Sequence, residues 1–334
     1  MKVQILGTVL PLLAGVVTAS AAPLDQPLTL GLPIDCEFGK TCFIQQYFDH
    51  DPGPGAKDYR CGPMSYDDHD GVDLRVPTLA AQKKGVAVLA AAAGTVRGAR
   101  DGMEDVNVAI AGSDSVKGRE CGNGVVIAHA GGWETQYCHM AKGSVRVRTG
   151  QQLGAGATLG LVGMSGNAEF PHLHFSVRHN GDKIDPFAAD AAPNACGGKS
   201  LWSREAAAAL SYHSLELINF GFVPQALTMA DVESGHADEL SSQLAVGSPA
   251  LIAFVRAIGL KGGDVQFLTL RGPDGQTIAT SETPAVPRDR AQQLLAIGKR
   301  RAANEWPRGT YEAEYDVRRD GAPFFSRRFS VTLR

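Results

Sequence analysis

After Val17 the sequence has no apolar run near the roughly 20 residues that a bilayer span requires. A membrane-spanning body is therefore not expected once the first residues are removed. Nor is there a surplus of positive charge. Lys and Arg number 32 against 35 Asp and Glu, and the formal net charge is −3, which argues against a general nucleic-acid binder. No C-x-x-C pair occurs, so a zinc–cysteine site lacks its usual spacing. Internal repeats and low-complexity tracts are missing as well. Charged residues make up only 20% and hydrophobic ones 44%, which suits a normal core rather than disorder. With 334 residues, about two domains are expected.

What is present begins with an export signal. Lys2 gives a positive start, Val3 to Val17 is almost wholly apolar, and Ala19-Ser20-Ala21 is a small-residue cleavage site. Residues 1–21 are read as a signal peptide, and the mature protein as periplasmic or secreted. The cysteines fit such a compartment: Cys36, Cys42, Cys61, Cys121, Cys138 and Cys196 are even in number and point to disulfides. Their pairing is open. Cys121 and Cys138 flank one apparent hairpin, but a tight turn at Gly131-Gly132 would misalign them, so a bond there needs a bulge or loop.

Residues 22–65 read as an irregular N-terminal arm, broken by Pro52-Gly53-Pro54-Gly55. From Gly71 to Pro186 short runs rich in Val, Ile, Leu and Ala alternate with glycine turns, the pattern of an all-β domain. Val106 to Ile110 and Ser144 to Val147 are among the expected strands. Residues 188–224 read as a linker with a helix over Ser203 to Leu217, Ser203 being its N-cap. Residues 225–334 return to strands. Arg319-Asp320-Gly321 marks a hairpin, and a separate β-sandwich, dispensable for catalysis, is expected.

The chemistry centres on histidine. On a strand, His172 and His174 of Pro171-His172-Leu173-His174-Phe175 share one face, a common beginning of a zinc site. His69 and Asp73 bracket Asp70-Gly71-Val72 at a loop running into a strand. In Tyr137-Cys138-His139-Met140, alternation puts Tyr137 and His139 on one face and turns Cys138 away. His129 reads as a turn residue. His50, His179, His213 and His236 match no ligand spacing and read as solvated. Tyr66 and Tyr137 read equally as cleft-lining or packing residues. Lys299-Arg300-Arg301 reads as a solvated face or a contact for anionic wall polymer.

Taken together, residues 66–187 resemble the lysostaphin/LytM-type zinc endopeptidases. The resemblance rests on His69 to Asp73, Gly122 to His129, Thr135 to His139, the glycine-spaced Gly150 to Gly166, Pro171 to Phe175 and the closing Asp185-Pro186. It implies an antiparallel β-sheet with a groove across it and Zn2+ on the groove floor. It implies His69, Asp73 and His174 as ligands, with His139 and His172 beside the metal as catalytic groups. The implied reaction is hydrolysis of peptidoglycan peptide bonds by a zinc-activated water. Met140 stands where Leu is usual, and Ser165 to Phe170 departs from the usual Ser-Thr-Gly, which opens the question of substrate preference. Two other readings compete: a secreted zinc protease acting on proteins, and a non-catalytic activator of another wall hydrolase. The C-terminal region is read as a module for wall polymer or a protein partner.

Overall fold

The computed structural model describes residues 28–334 except 193 and 303. The signal segment, residues 1–21, lies outside them. None of the described helices is long and apolar enough to cross a membrane.

The first half of the chain supplies β1 (Phe43–Gln46), β2 (Val72–Arg75), β3 (Ala87–Leu89), β4 (Gly94–Arg100), β5 (Asn123–Ala128), β6 (Trp133–Met140), β7 (Gln152–Leu153), β8 (Thr158–Leu161), β9 (His172–His179) and β10 (Asp182–Ile184). Eight of these form an antiparallel sheet in the order β1-β2-β9-β6-β5-β4-β7, with β10 also on β9; β3 and β8 pair separately. Alternation decides its two faces. Val72, Leu74, Val125, Ile127, Tyr137, Leu173, Phe175 and Val177 point into one core and are almost fully buried. Each such side chain contributes about 1.5–3 kcal/mol of burial. The opposite face of β9 carries His172, His174, Ser176 and Arg178. This is the mainly β, antiparallel architecture expected.

Details differ from the sequence reading. The N-terminal arm is not wholly irregular: it adds edge strand β1, which pairs with β2 in the register Phe43↔Arg75 and Ile44↔Leu74. Val106 to Ile110 contains a short helix, α2 (Val108–Ala111), capped by the Asn107 side chain, rather than a strand. It follows α1 (Leu79–Lys84) in the chain. Ser144 to Val147 forms no strand either, although Arg146 N–H donates to Leu159 C=O. Helix α3 (Arg204–Ala209) does start from Ser203, whose hydroxyl accepts from Ala206 N–H. It stops at Leu210, because Tyr212 turns into an aromatic cluster with Tyr47 and Tyr59.

The second half holds β11 (Glu216–Val223), α4 (Met229–Ser234), α5 (His236–Ser242), β12 (Ala250–Leu260), β13 (Val265–Arg271), β14 (Thr277–Glu282), β15 (Arg290–Arg300), β16 (Gly309–Arg319) and β17 (Ala322–Leu333). Sheets β11-β12-β15 and β14-β13-β16-β17 face each other across a second core that includes Leu251, Val255, Leu268, Leu270, Tyr311 and Tyr315. The β16–β17 hairpin turns at Asp320 and Gly321, both at positive φ (53° and 77°), as a tight two-residue turn requires. The first core is not confined to residues 66–187. Leu201, Trp202, Ala206, Leu210, Ile218 and Ile258 also belong to it.

All six cysteines are paired: Cys36–Cys42, Cys61–Cys196 and Cys121–Cys138. The last pair is accommodated by a register shift between Asn123 and Val125 in the β5–β6 ladder.

Candidate metal centre

Strand pairing brings the sequence clusters together. In the β2–β9 ladder Asp73 stands opposite His174 and Arg75 opposite His172. Directly opposed residues point to the same side, so Asp73, His172 and His174 share one patch. His69 arrives from the loop before β2. Its Nδ1–H donates to the Tyr47 carbonyl (2.6 Å), and Tyr66 stacks on its ring at 4.3 Å. The arm shapes that loop, because the Asp49 carboxylate accepts from the backbone N–H groups of Asp51, Lys57 and Asp68.

Three acceptor atoms converge here. His69 Nε2 lies 3.2 Å from Asp73 Oδ1 and 3.2 Å from His174 Nδ1, and His174 Nδ1 lies 2.9 Å from Asp73 Oδ1. The other nitrogen of each ring is occupied: His69 Nδ1–H at Tyr47, and His174 Nε2–H at the Asp70 carboxylate (3.1 Å). A carbonyl or carboxylate can only accept, so both rings turn a lone pair inward. Such a cluster needs a positive centre, either a proton or a metal ion. In the metal-free protein a proton suffices. Burial opposes it, but hydrogen bonds and charge from Asp70 and Asp73 lift His174 to about 9. Burial likewise works against ionised Asp73, yet the surrounding histidines hold it well below the usual carboxylate range. Asp70 is also depressed, chiefly by its hydrogen bond to His174. The donor set fits zinc. Ligand atoms about 2.0–2.1 Å from a tetrahedral zinc stand roughly 3.3 Å from one another, close to the spacing found. Among the described residues, His69, Asp73 and His174 are the group of three or more potential ligands close enough to share an ion.

His139 and His172 adjoin this cluster, with ring centroids 4.6 Å apart. His139 Nδ1–H donates to the Ser165 carbonyl (2.7 Å) and His172 Nδ1–H to the Phe170 carbonyl (2.8 Å). In the neutral tautomer Nε2 is then the lone-pair atom of each ring, and that of His172 lies 3.4 Å from Asp73 Oδ1. Burial and the neighbouring His172 and His174 hold His139 well below its ordinary pKa, so it stays neutral and able to accept a proton.

The strand-alternation reading at β6 is corrected. Tyr137 is buried in the core, where its hydroxyl accepts from Ala91 N–H, and Cys138 lies opposite His174 on the cleft side. His139 adopts φ = 60°, which ends the alternation and turns its ring towards His172 and His174. A second correction concerns His50. It is not solvated: its buried Nε2 pairs with Asp185 Oδ2 at 2.7 Å. Asp70, Asp49 and Ser165 had no role in the sequence reading. Only Asp70 carried a signal, its place between His69 and Asp73.

The cluster opens into a cleft of about 340 Å³ lined by Tyr66, Asp70, Glu120, Gln136, His139, Asn167, His174, Ser176, Arg178 and the Cys121–Cys138 pair. Residues 67–186 match the family model "Peptidase family M23". They form an M23 peptidase domain. The lysostaphin/LytM resemblance therefore holds on this segment. Among curated relatives, the cell division protein DipM of Caulobacter vibrioides is 33% identical over 111 residues, covering 33% of this chain and 14% of DipM. The DD-carboxypeptidase/endopeptidase Mpg of Neisseria meningitidis is 40% identical over 77 residues, covering 21% of this chain and 16% of Mpg. The chain thus spans a sixth or less of these relatives' length. Among solved structures, the catalytic domain of a mutant of the prophage-encoded M23 protein EnpA from Enterococcus faecalis is 21% identical. It covers 49% of this chain and 98% of that one, with a TM-score of 0.33.

Proposed function

We propose that this protein is an exported zinc-dependent endopeptidase that hydrolyses peptide bonds in bacterial peptidoglycan. The observation that carries the reading is the convergence of His69 Nε2, Asp73 Oδ1 and His174 Nδ1, set beside two further histidines whose Nδ1 atoms are held by backbone carbonyls. The M23 match and the endopeptidase named among the relatives support the reaction class, and the peptidoglycan DD-endopeptidases among the relatives support the substrate.

In this reading His69, Asp73 and His174 hold the zinc. Zinc, when bound, supplies a Lewis acid that polarises a carbonyl and lowers the pKa of water. The protein's own groups do the rest. Tyr47 and Asp70 fix the ligand tautomers. Ser165 and Phe170 fix those of His139 and His172, so that each can take up a proton at Nε2 and later return it to the leaving amine. Buried imidazoles that begin neutral can also stabilise the negative charge developing on the scissile carbonyl once protonated.

Digestion of purified sacculi by the full chain, with and without a zinc chelator, tests the reading. Mass spectrometry should show newly cut peptide cross-links, lost on chelation and restored by zinc. Intact cross-links, with cleavage of an unfolded glycine-rich protein instead, would move the substrate to proteins. Cutting that persists at full rate in chelator would refute the metal.

A further inference from the structure

Arg75 is fully buried, two residues beyond Asp73 on the same face of β2 and directly opposite His172. Its guanidinium lies 4.5 Å above the Phe170 ring. The Phe170 ring in turn lies tilted against that of His172, centroids 4.5 Å apart, and Phe170 supplies the carbonyl that receives His172 Nδ1–H. Phe170 belongs to the loop before β9, outside any strand, so no sheet register fixes it.

What holds Arg75 comes largely from the second half of the chain. Nη1 donates to Gln45 on β1 and to Gln292 Oε1 on β15 (3.1 Å). Nη2 lies 3.7 Å from Glu233 on α4, its carboxylate partner among the described residues. Gln292 also donates to Glu233 (2.9 Å), closing the arrangement. Nε and Nη2 make no hydrogen bond, so little else restrains the group. A buried guanidinium without these partners would move or draw in water, and the ring stacked on it would follow.

We infer that Arg75 is a positioning residue for His172, acting through Phe170, and that Gln292 and Glu233 of the C-terminal region set Arg75 in place. The C-terminal region is then part of the hydrolytic machinery and not an appended module. The catalytic side of this inference rests on the proposed function.

Gln292→Leu and Glu233→Gln in the full, zinc-loaded chain test it. Neither residue belongs to the cluster of ligands and histidines. Both variants should keep one equivalent of zinc. Their kcat on a soluble cross-linked peptide should fall about tenfold or more, with KM within about twofold. The ¹⁵N resonances of the His172 ring should shift, and Glu233→Asp, which retains the carboxylate, should bring both kcat and resonances back towards wild type. Unchanged kcat and unchanged His172 resonances, with only a lower Tm, would reduce Arg75 to a structural role. Should the wild type fail to cut any wall peptide, the proposed function falls. The His172 resonances then still decide whether Arg75 positions the ring.

Discussion

Gly71 is the position where one added carbon should cost the most. A Cβ there would stand 2.6 Å from the Phe175 carbonyl oxygen and 2.7 Å from His174 Nε2. Ordinary contact needs a separation nearer 3.4 Å, so His174 or its strand must retreat by about 0.8 Å. Metal–ligand distances tolerate only about 0.2 Å. The same displacement would break the His174–Asp70 hydrogen bond, which orients the ring. Gly71→Ala should therefore lower zinc affinity by about 100-fold or more. It should cost about 1–3 kcal/mol of stability through overpacking. Zinc affinity is read by competition with a chromophoric chelator, and the fold by circular dichroism. Gly154→Ala serves as the control, because a Cβ there meets nothing within 4 Å. If Gly71→Ala folds and binds zinc within about threefold of wild type, the crowding argument is refuted, since a ligand displaced beyond the tolerance cannot keep its affinity.

His174→Ala should lose zinc and activity together, whereas His172→Ala should keep zinc and lose about 10²–10⁴ in turnover; metal analysis of the two proteins separates the roles. Zinc binding near pH 7.5 should release about one proton, because His174, held at about 9 in the metal-free protein, must give up its proton to bind. Calorimetry in buffers of different ionisation enthalpy counts it, and zero release would refute that protonation state. The stability that protonated His174 gives the metal-free protein is fully present below its unfolded pKa near 6.5 and disappears as pH rises through about 9. Glu216 is lifted to about 7 by burial, so its contribution is greatest below its unfolded pKa near 4.5 and is lost as pH rises through about 7. Glu216→Gln should remove that slope and be about 1–3 kcal/mol more stable than wild type at pH 8 in denaturant melts; an unchanged slope would refute the assignment.

His172 and His174 were legible because they use the simplest geometry, whereas His69 and Asp73 joined them only through the family resemblance. Two residues apart on a strand means one face, and Leu173 between the histidines belongs in the core. His139 was harder. Its sequence context is a strand, and alternation puts it beside Tyr137, but the positive φ that swings it into the cleft leaves no mark in the residue types. Polar strands were also hidden. β1 reads Phe-Ile-Gln-Gln and is buried along its whole length, because Gln45 finds the Arg75 guanidinium there. β15 is mostly exposed and carries Gln292, Gln293, Lys299 and Arg300, so hydrophobic periodicity gave it no signature. His50 looked solvated because its partner Asp185 lies 135 residues away.

The same distance problem bears on the expectation that residues 225–334 are dispensable. Local pattern marks residues 188–224 as a linker, and the chain does loosen there in composition. Yet Leu201, Trp202, Leu210 and Ile218 complete the first core, and Cys196 ties this stretch back to Cys61. A chain cut after residue 200 would lose those four side chains, each worth about 1.5–3 kcal/mol when buried. That loss is comparable to the whole stability of a typical domain, about 5–15 kcal/mol. Such a fragment would fail for want of core whether or not the β-sandwich takes part in catalysis. Point changes at Gln292 and Glu233 leave the core intact, and so separate the two questions that a truncation would merge.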